Sequence, residues 1–401
     1  MHTPLRAILT RNVVWYLVSR FCGGTAMTML RAAIAWHVYS LTNSPFHLGL
    51  IGLVQFVPVL GLTLVGGAVA DSYERRRVIM IAQLVPLGCA LTLMATTRAG
   101  AMTLPLLYGL VFVSACAAAF ENPARAAMLP TLVPRPAFPR AVTLASTGQA
   151  LAFMSGPAGG GFVIAAAGIA AAYATAASLL VASLVGLAVL RPAPPDGVRR
   201  AMSWTAVREG LGFVRRNPVV LGCMTLDMFA VIFGGATALL PVYANDILGV
   251  GARGYGILSA SLEVGALATA LALFVLPTIN RAGRALLVAV TVFGLATIGF
   301  GLSTWFPLSV ALYVVCGVAD QISVVMRSTA IQLATPDALR GRVSAVNFIF
   351  IGASNQLGAV ESGFVATLTD PVFAVVSGGI GTLIVVAIVA GRLPELRRYR
   401  I

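Results

Sequence analysis

Apolar residues run through this chain in long blocks, separated by short clusters of arginine, proline and glycine. A helix that crosses the hydrocarbon of a bilayer needs about 20 mostly apolar residues. Blocks of that length lie near 13–40, 48–70, 78–97, 103–122, 141–166, 168–190, 218–243, 254–276, 285–303, 307–328, 343–368 and 371–391. The pattern therefore predicts an all-α polytopic membrane protein with twelve transmembrane helices, spans 1 to 12. Span 1 carries Arg20 and Arg31, is too long for a signal peptide and lacks a small-residue cleavage site, so it is expected to remain in the mature chain.

Composition narrows the class further. Of the 401 residues 59% are hydrophobic and 10% charged, against about 25% charged in a soluble domain. So little charge cannot cover the surface of a water-soluble protein of this size. The net charge of +14 comes from 27 basic residues, all of them arginine. Nucleic-acid binding would gather that charge on one face, whereas here it is scattered between apolar blocks. Cytoplasmic loops hold the excess of basic residues. Sorted by loop, 23 of the 27 arginines fall on the side of the two termini, and only Arg98 and Arg253 on the other. Both ends are thus expected in the cytoplasm and the protein in the cell (inner) membrane. The cysteines Cys22, Cys89, Cys116, Cys223 and Cys316 sit in apolar blocks without Cys-x-x-Cys spacing, and His2, His37 and His47 are dispersed. No metal site, disulfide or cofactor is expected.

The one long connection, 191–217, opens with Arg191-Pro-Ala-Pro-Pro at the midpoint of the chain. It divides an N-terminal six-helix bundle, 1–190, from a C-terminal one, 218–401. Its second part puts Trp204, Val207, Leu211 and Val214 on one helical face, the pattern of a helix lying in the membrane interface or of a solvated linker helix. At an offset of 202, Arg125, Pro134 and Arg140 fall on Arg327, Pro336 and Arg342. Parallel six-helix repeats with substrate near the midplane between them are one transporter architecture. Arg125 and Arg327 are expected at the inner face, either on lipid phosphate and helix ends or in gating.

With these residues in view, the chain resembles the major facilitator superfamily over essentially its whole length. Loop 2–3 reads Gly67-Ala-Val-Ala-Asp71-Ser72-Tyr-Glu74-Arg75-Arg76-Arg77, similar to that superfamily's signature of a glycine, an aspartate four later and a basic cluster. Ser72 stands where the signature has arginine. The variant looks like the bacterial branch of transmembrane-secretion-effector-like permeases that contains the enterobactin exporter. So do Pro123-Ala-Arg125, Gly156-Pro157-x-x-Gly160 and Arg340-Gly-Arg342-Val-Ser-Ala-Val-Asn347. The resemblance implies that Asp71 meets the start of span 11 and that a loop arginine pairs with Glu121, latching the inner side. Replacing Asp71 with Asn is then expected to shift the protein toward its inward-open state. Cysteine accessibility measured on both faces checks this, and an unchanged pattern counts against the latch. Gly156, Pro157 and Gly160 resemble an antiporter signature, with close helix packing as the other reading. The arginine that the family carries in mid span 4 is missing here.

Ionised groups in the bilayer cost at least ~2.5 kcal/mol each on insertion scales, so each needs a partner or a purpose. Five stand out: Arg31, Asp227, Glu263, Asp320 and Glu361. By depth, Arg31 matches Glu361 better than Asp320. One reading is a neutralising pair that never titrates. The other is a carboxylate that carries a proton against substrate movement, with Asp227 the first choice and Glu263 the second, because neither has a basic residue near it in its own helix. No catalytic constellation and no Walker loop is present, so no enzymatic activity is expected. A secondary transporter, most simply a proton-coupled exporter of a small organic molecule working as a monomer in the lipid bilayer, fits these features. An importer is the alternative, with a channel, receptor or embedded enzyme behind it.

Overall fold

The computed structural model describes residues 10–190, 204–234, 236–275, 279–336 and 339–400. The described residues are all-α. The first half contributes α1 (Arg11–Thr42), α2 (Pro45–Ser72), α3 (Arg75–Arg98), α4 (Leu104–Leu132), α5 (Phe138–Ala167) and α6 (Ile169–Val189). After α7 (Trp204–Arg216) come α8 (Pro218–Phe233), α9 (Gly251–Val275), α10 (Ala282–Leu302), α11 (Phe306–Ala334), α12 (Arg340–Leu368) and α13 (Pro371–Arg392). Ten segments are long and apolar enough to cross a membrane, α8 and its continuation to Ile247 counting as one. α1 falls short because Arg20, Arg31 and His37 dilute it. In α2 the apolar stretch among the described residues is Pro45–Pro58.

Helix ends follow local chemistry. Proline stands at the first turn of α4, α8, α11 and α13, where its missing N–H has no intrahelical partner anyway. Asn217 caps α8 by accepting from Val219 N and Val220 N, both at 3.1 Å, and Asp370 caps α13 by accepting from Phe373 N at 2.8 Å. Gly168, at φ 84°, turns the chain from α5 into α6 in a conformation that a Cβ resists.

The repeat seen in the sequence extends to the backbone. α4, α5 and α6 begin at residues 104, 138 and 169, and α11, α12 and α13 at 306, 340 and 371, each pair 202 apart. The corner repeats as well: Ala137 N donates to Pro134 O at 2.9 Å, and Leu339 N to Pro336 O at 2.9 Å. Both corner helices, α4 and α11, run beyond the predicted spans, which stop at 122 and 328.

The chain separates into two compact units, one of residues 1–37 and 57–201, the other of 38–56 and 202–401. The first has a core around Tyr16, Ile79, Met128 and Leu187. Gly156 of α5 lies against α1: a Cβ there would stand 2.0 Å from Thr28 Oγ1 and 2.7 Å from Thr25 O. Thr28 Oγ1 also donates to Ala152 O at 3.1 Å. Replacing Gly156 with valine is therefore expected to cost about 1–3 kcal/mol by overpacking, read as a lower melting temperature of the detergent-purified protein. A variant as stable as the parent would show that α1 and α5 do not need this contact.

The second unit includes the end of α1 and the start of α2. Tyr39 donates to the Asp246 carboxylate, and Gly49 packs on Gly363, where a Cβ on Gly363 would come within 2.5 Å of Gly49 Cα. Its main core gathers Val220, Leu226, Leu286, Met326 and Val343, and Val214 of α7 is part of it, with Leu211 packed alongside. Gly210 brings α7 close to the Arg342 carbonyl, and Arg342 is ion-paired with Glu209. The described apolar residues of α7 thus find cover on α12 in place of lipid or water. The side chains of Trp204 and Val207 lie outside the described ones.

Candidate functional site

Arg125 is the centre of a buried polar network in the first unit. Its Nε donates to Glu121 Oε1 at 2.6 Å, one helical turn back on α4, and its Nη2 to Ser183 Oγ at 3.4 Å. Gln83 Nε2 donates to the same Glu121 oxygen at 3.0 Å. Ser183 Oγ lies 2.8 Å from Ser19 O and 3.0 Å from Gln83 Oε1, and Tyr16 donates its hydroxyl to Arg125 O at 3.1 Å. Gly23 of α1 makes room for this: a Cβ there would be 2.8 Å from Gln83 Nε2 and 2.9 Å from Ser183 Oγ. One positive and one negative charge, bonded through Arg125 Nε and Nη2 while its Nη1 is buried without a hydrogen-bond partner among the described residues, tie α1, α3, α4 and α6 together.

The repeat-related Arg327 has a different partner. Reaching from α11 to α8, it forms an ion pair with Asp227, the two side chains being 4% and 11% exposed. Both repeat arginines are thus buried and ion-paired within their own units. Asp227, chosen from sequence because its own helix offers no cation, meets one from another helix.

Glu263 on α9 and Asp320 on α11 are brought together by backbone contact. A Cβ on Gly265 would be 2.1 Å from Val314 O, and one on Gly317 1.8 Å from Leu262 O, so the two helices touch where only glycine fits. Glu263 stands two residues before Gly265 and Asp320 three after Gly317, so both carboxylates flank this contact. Tyr313, next to Val314 on α11, is hydrogen-bonded to Thr237 at 2.7 Å. Among the described residues no ion pair neutralises Glu263 or Asp320. Glu361 is half-buried and accepts from Ser362 Oγ at 3.2 Å. Arg31 is exposed on α1, in the first unit.

The inner loop departs from what the resemblance implies. Glu121 is occupied by Arg125 and Gln83. Arg77 pairs with Glu74 at 2.7 Å, and Arg76 donates to Leu187 O and Ala188 O at 2.8 and 2.6 Å, covering the end of α6. Physically, Arg125 wins Glu121 because a residue four positions away on the same helix needs no loop to be ordered. Arg75 is half-buried at the start of α3, the space beside Gly67 is open, and the side chain of Asp71 lies outside the described ones. In α5, Gly160 also faces α1, where a Cβ would stand 3.3 Å from Met29 Cγ, and the helix runs unbroken through Pro157. His37 is a satisfied core residue, its Nδ1 2.9 Å from Tyr173 Oη.

One feature that bears on function escapes the hydropathy pattern. Span 7 is not a single helix: α8 stops at Phe233, and a 3₁₀ turn (Ala236–Leu239), a short α-turn (Leu240–Val242) and a π-turn (Tyr243–Ile247) follow. Gly234-Gly235 and Pro241 are the sequence signal, glycine freeing the backbone and proline removing a donor. Helices broken at membrane depth are tolerated where they are buried in protein or line a cavity.

The helices, their two units and the register-preserving repeat lead to a transporter of the major facilitator superfamily. The chain belongs to the transmembrane secretion effector family, which it matches over residues 2–399. It is 27% identical to the enterobactin exporter of Shigella boydii over 387 residues, 96% of this chain and 92% of that one. To the enterobactin exporter of Escherichia coli O1:K1 it is 26% identical over the same shares. Among solved structures it resembles a POT family transporter in complex with 5-aminolevulinic acid (TM-score 0.74, 11% identity, 96% of each chain). A bacterial homologue of the human lysosomal transporter Spinster, inward-facing and occupied, is similar too (TM-score 0.73, 13% identity, 100% and 99% of the two chains). The protein is a multi-pass membrane transporter related to exporters, and not an enzyme.

Proposed function

We propose that this protein exports a small organic molecule, a siderophore, drug or metabolite, across the inner membrane in exchange for protons, by alternating access and with both termini in the cytoplasm. The observation that carries the reading is the likeness to enterobactin exporters along nearly the full length of both chains. The arginine distribution supports the orientation, and the uncompensated acids support proton coupling. Asp227 is held by Arg327, so the proton-carrying role falls to Glu263, the second choice from sequence, together with Asp320. Two neighbouring carboxylates can hold one proton between them, and returning that proton to the inside while substrate leaves couples the two flows.

Reconstitution tests this. Proteoliposomes with an imposed proton gradient are expected to show saturable, gradient-dependent flux of a catecholate siderophore or of an amphipathic dye. Flux that ignores the gradient removes the coupling, and flux that fails to saturate points to a channel. A deletion strain more sensitive to compounds from a siderophore and toxic-compound panel would fix the direction as export.

A further inference from the structure

α1 carries two arginines at membrane depth on one face. Arg20 and Arg31 are eleven residues apart, almost three whole turns, and Gly24 lies between them on the same side. With the 32 residues of α1 centred on a bilayer, Arg20 stands about 10 Å from the midplane on one side and Arg31 about 7 Å on the other, at 1.5 Å per residue. Both lie inside the ~15 Å of hydrocarbon in each leaflet. Charges at that depth face a protein interior or a watery cavity, and each needs a partner or a purpose.

The fold gives neither arginine an acid. Arg31 is exposed and makes no ion pair or hydrogen bond among the described residues. Arg20 is half-buried and donates through Nη1 to Tyr16 Oη at 3.2 Å, while its Nε is buried without a partner. Glu121 is the one carboxylate in α1 and α3 to α6, and Arg125 holds it at 2.6 Å. The other two acids before residue 190 stand at the loop between α2 and α3: Glu74 pairs with Arg77, and Asp71 ends α2 close in sequence to Arg75 and Arg76. An amide without a hydrogen bond completes the row. A Cβ on Gly24 would stand 3.1 Å from Gln149 Nε2, so the missing side chain leaves room for Gln149 of α5, which is half-exposed and unbonded among the described residues. Gly24 and Arg31 are seven residues apart, about 10 Å along the axis, with the half-buried Met27 between them. Cation and amide thus border an apolar surface long enough for a molecule of two or three aromatic rings.

We propose that the molecule this protein carries is an organic anion, its acidic group on the Arg31 guanidinium and a second polar group on the Gln149 amide. This rests on the export reading, whose substrate it narrows. The anion supplies the counter-charge that the fold withholds from Arg31, at a depth where salt screens little. The same fixed charge rejects a cation of equal shape, and the Gln149 amide both donates and accepts.

Fluorescein and rhodamine 123 share a three-ring frame and carry opposite charge, so the pair tests sign. Their binding to the full-length protein in detergent is read by fluorescence anisotropy, which needs no gradient. Fluorescein is expected to bind about ten-fold more tightly than rhodamine 123, and Arg31→Gln to weaken fluorescein by about the same factor, as loss of a hydrogen bond to a charged group does. That variant should leave rhodamine 123 no weaker and, having no ion pair to lose, melt at the parent's temperature. Arg31→Lys keeps the charge and should keep the preference for fluorescein. A parent that binds rhodamine 123 as tightly as fluorescein, or an Arg31→Gln variant with the parent's affinity for fluorescein, overturns the anion site. Flux in proteoliposomes separates this from the export reading. Arg31-dependent binding of fluorescein with flux that ignores the proton gradient keeps the anion site and removes the coupling. Gradient-driven export of rhodamine 123, unaltered in Arg31→Gln, removes the anion site and keeps export.

Discussion

Replacing Arg327 alone with glutamine is expected to destabilise the second unit by about 3–5 kcal/mol, because it leaves a carboxylate buried without its cation. The geometry sets the size of the effect. Asp227 and Arg327 are 11% and 4% exposed and come from different helices, α8 and α11, so water cannot replace the lost partner. Asp227→Asn alone should fail for the mirror reason, leaving a guanidinium buried. The double variant Asp227→Asn with Arg327→Gln removes both charges and is expected to regain most of the loss, since a buried pair contributes little over a neutral pair that fills the same space. Thermal unfolding of the three detergent-purified variants completes the cycle. Singles as stable as the parent would mean that the pair is not neutralised in place. The cycle also decides how Asp227 is tested as a proton carrier. Loss of transport in Asp227→Asn alone could reflect misfolding, whereas loss in the stable double variant would assign a role in transport to the pair as a whole.

Much of this was legible in the sequence. The apolar blocks located most helices to within a few residues, the ends of α4, α8 and α11 excepted, because lipid requires a continuous apolar segment whatever its neighbours are. The offset of 202 was visible at three residues and holds for three helix starts. What escaped was partnership. Glu121 and Arg125, four apart on one helix, could have been paired by spacing alone. Asp227 and Arg327 are 100 positions apart, and only the packing of α8 on α11 joins them. Gln83, Ser19 and Ser183 are single polar residues in apolar blocks, and their role depends on Gly23 letting three other helices reach α1. The overrun of α4 and α11 has one cause: Glu121 with Arg125, and Arg327, look like the end of a span, but each is neutralised inside its unit and the helix carries on.

Neutralising Glu263 and Asp320 together, as Glu263→Gln with Asp320→Asn, is expected to abolish proton-driven transport while leaving substrate exchange across the membrane. The substitutions keep the shape of both side chains and remove no salt bridge among the described residues, so the Gly265 and Gly317 contact between α9 and α11 is untouched. Their effect falls on charge alone. With both carboxylates present, a carrier that has lost its proton must move ionised groups through a medium where each costs at least ~2.5 kcal/mol, and that penalty is what ties the return of the empty protein to proton binding. In the neutral pair the penalty is gone, and the protein cycles with or without a proton. Uptake into everted vesicles driven by a proton gradient should therefore fall to the level seen without a gradient, while exchange of labelled for unlabelled substrate continues at a rate near that of the parent. Full gradient dependence in the double variant would exclude this pair. Loss of exchange as well as of driven uptake would mean that the two acids bind substrate and do not carry the proton.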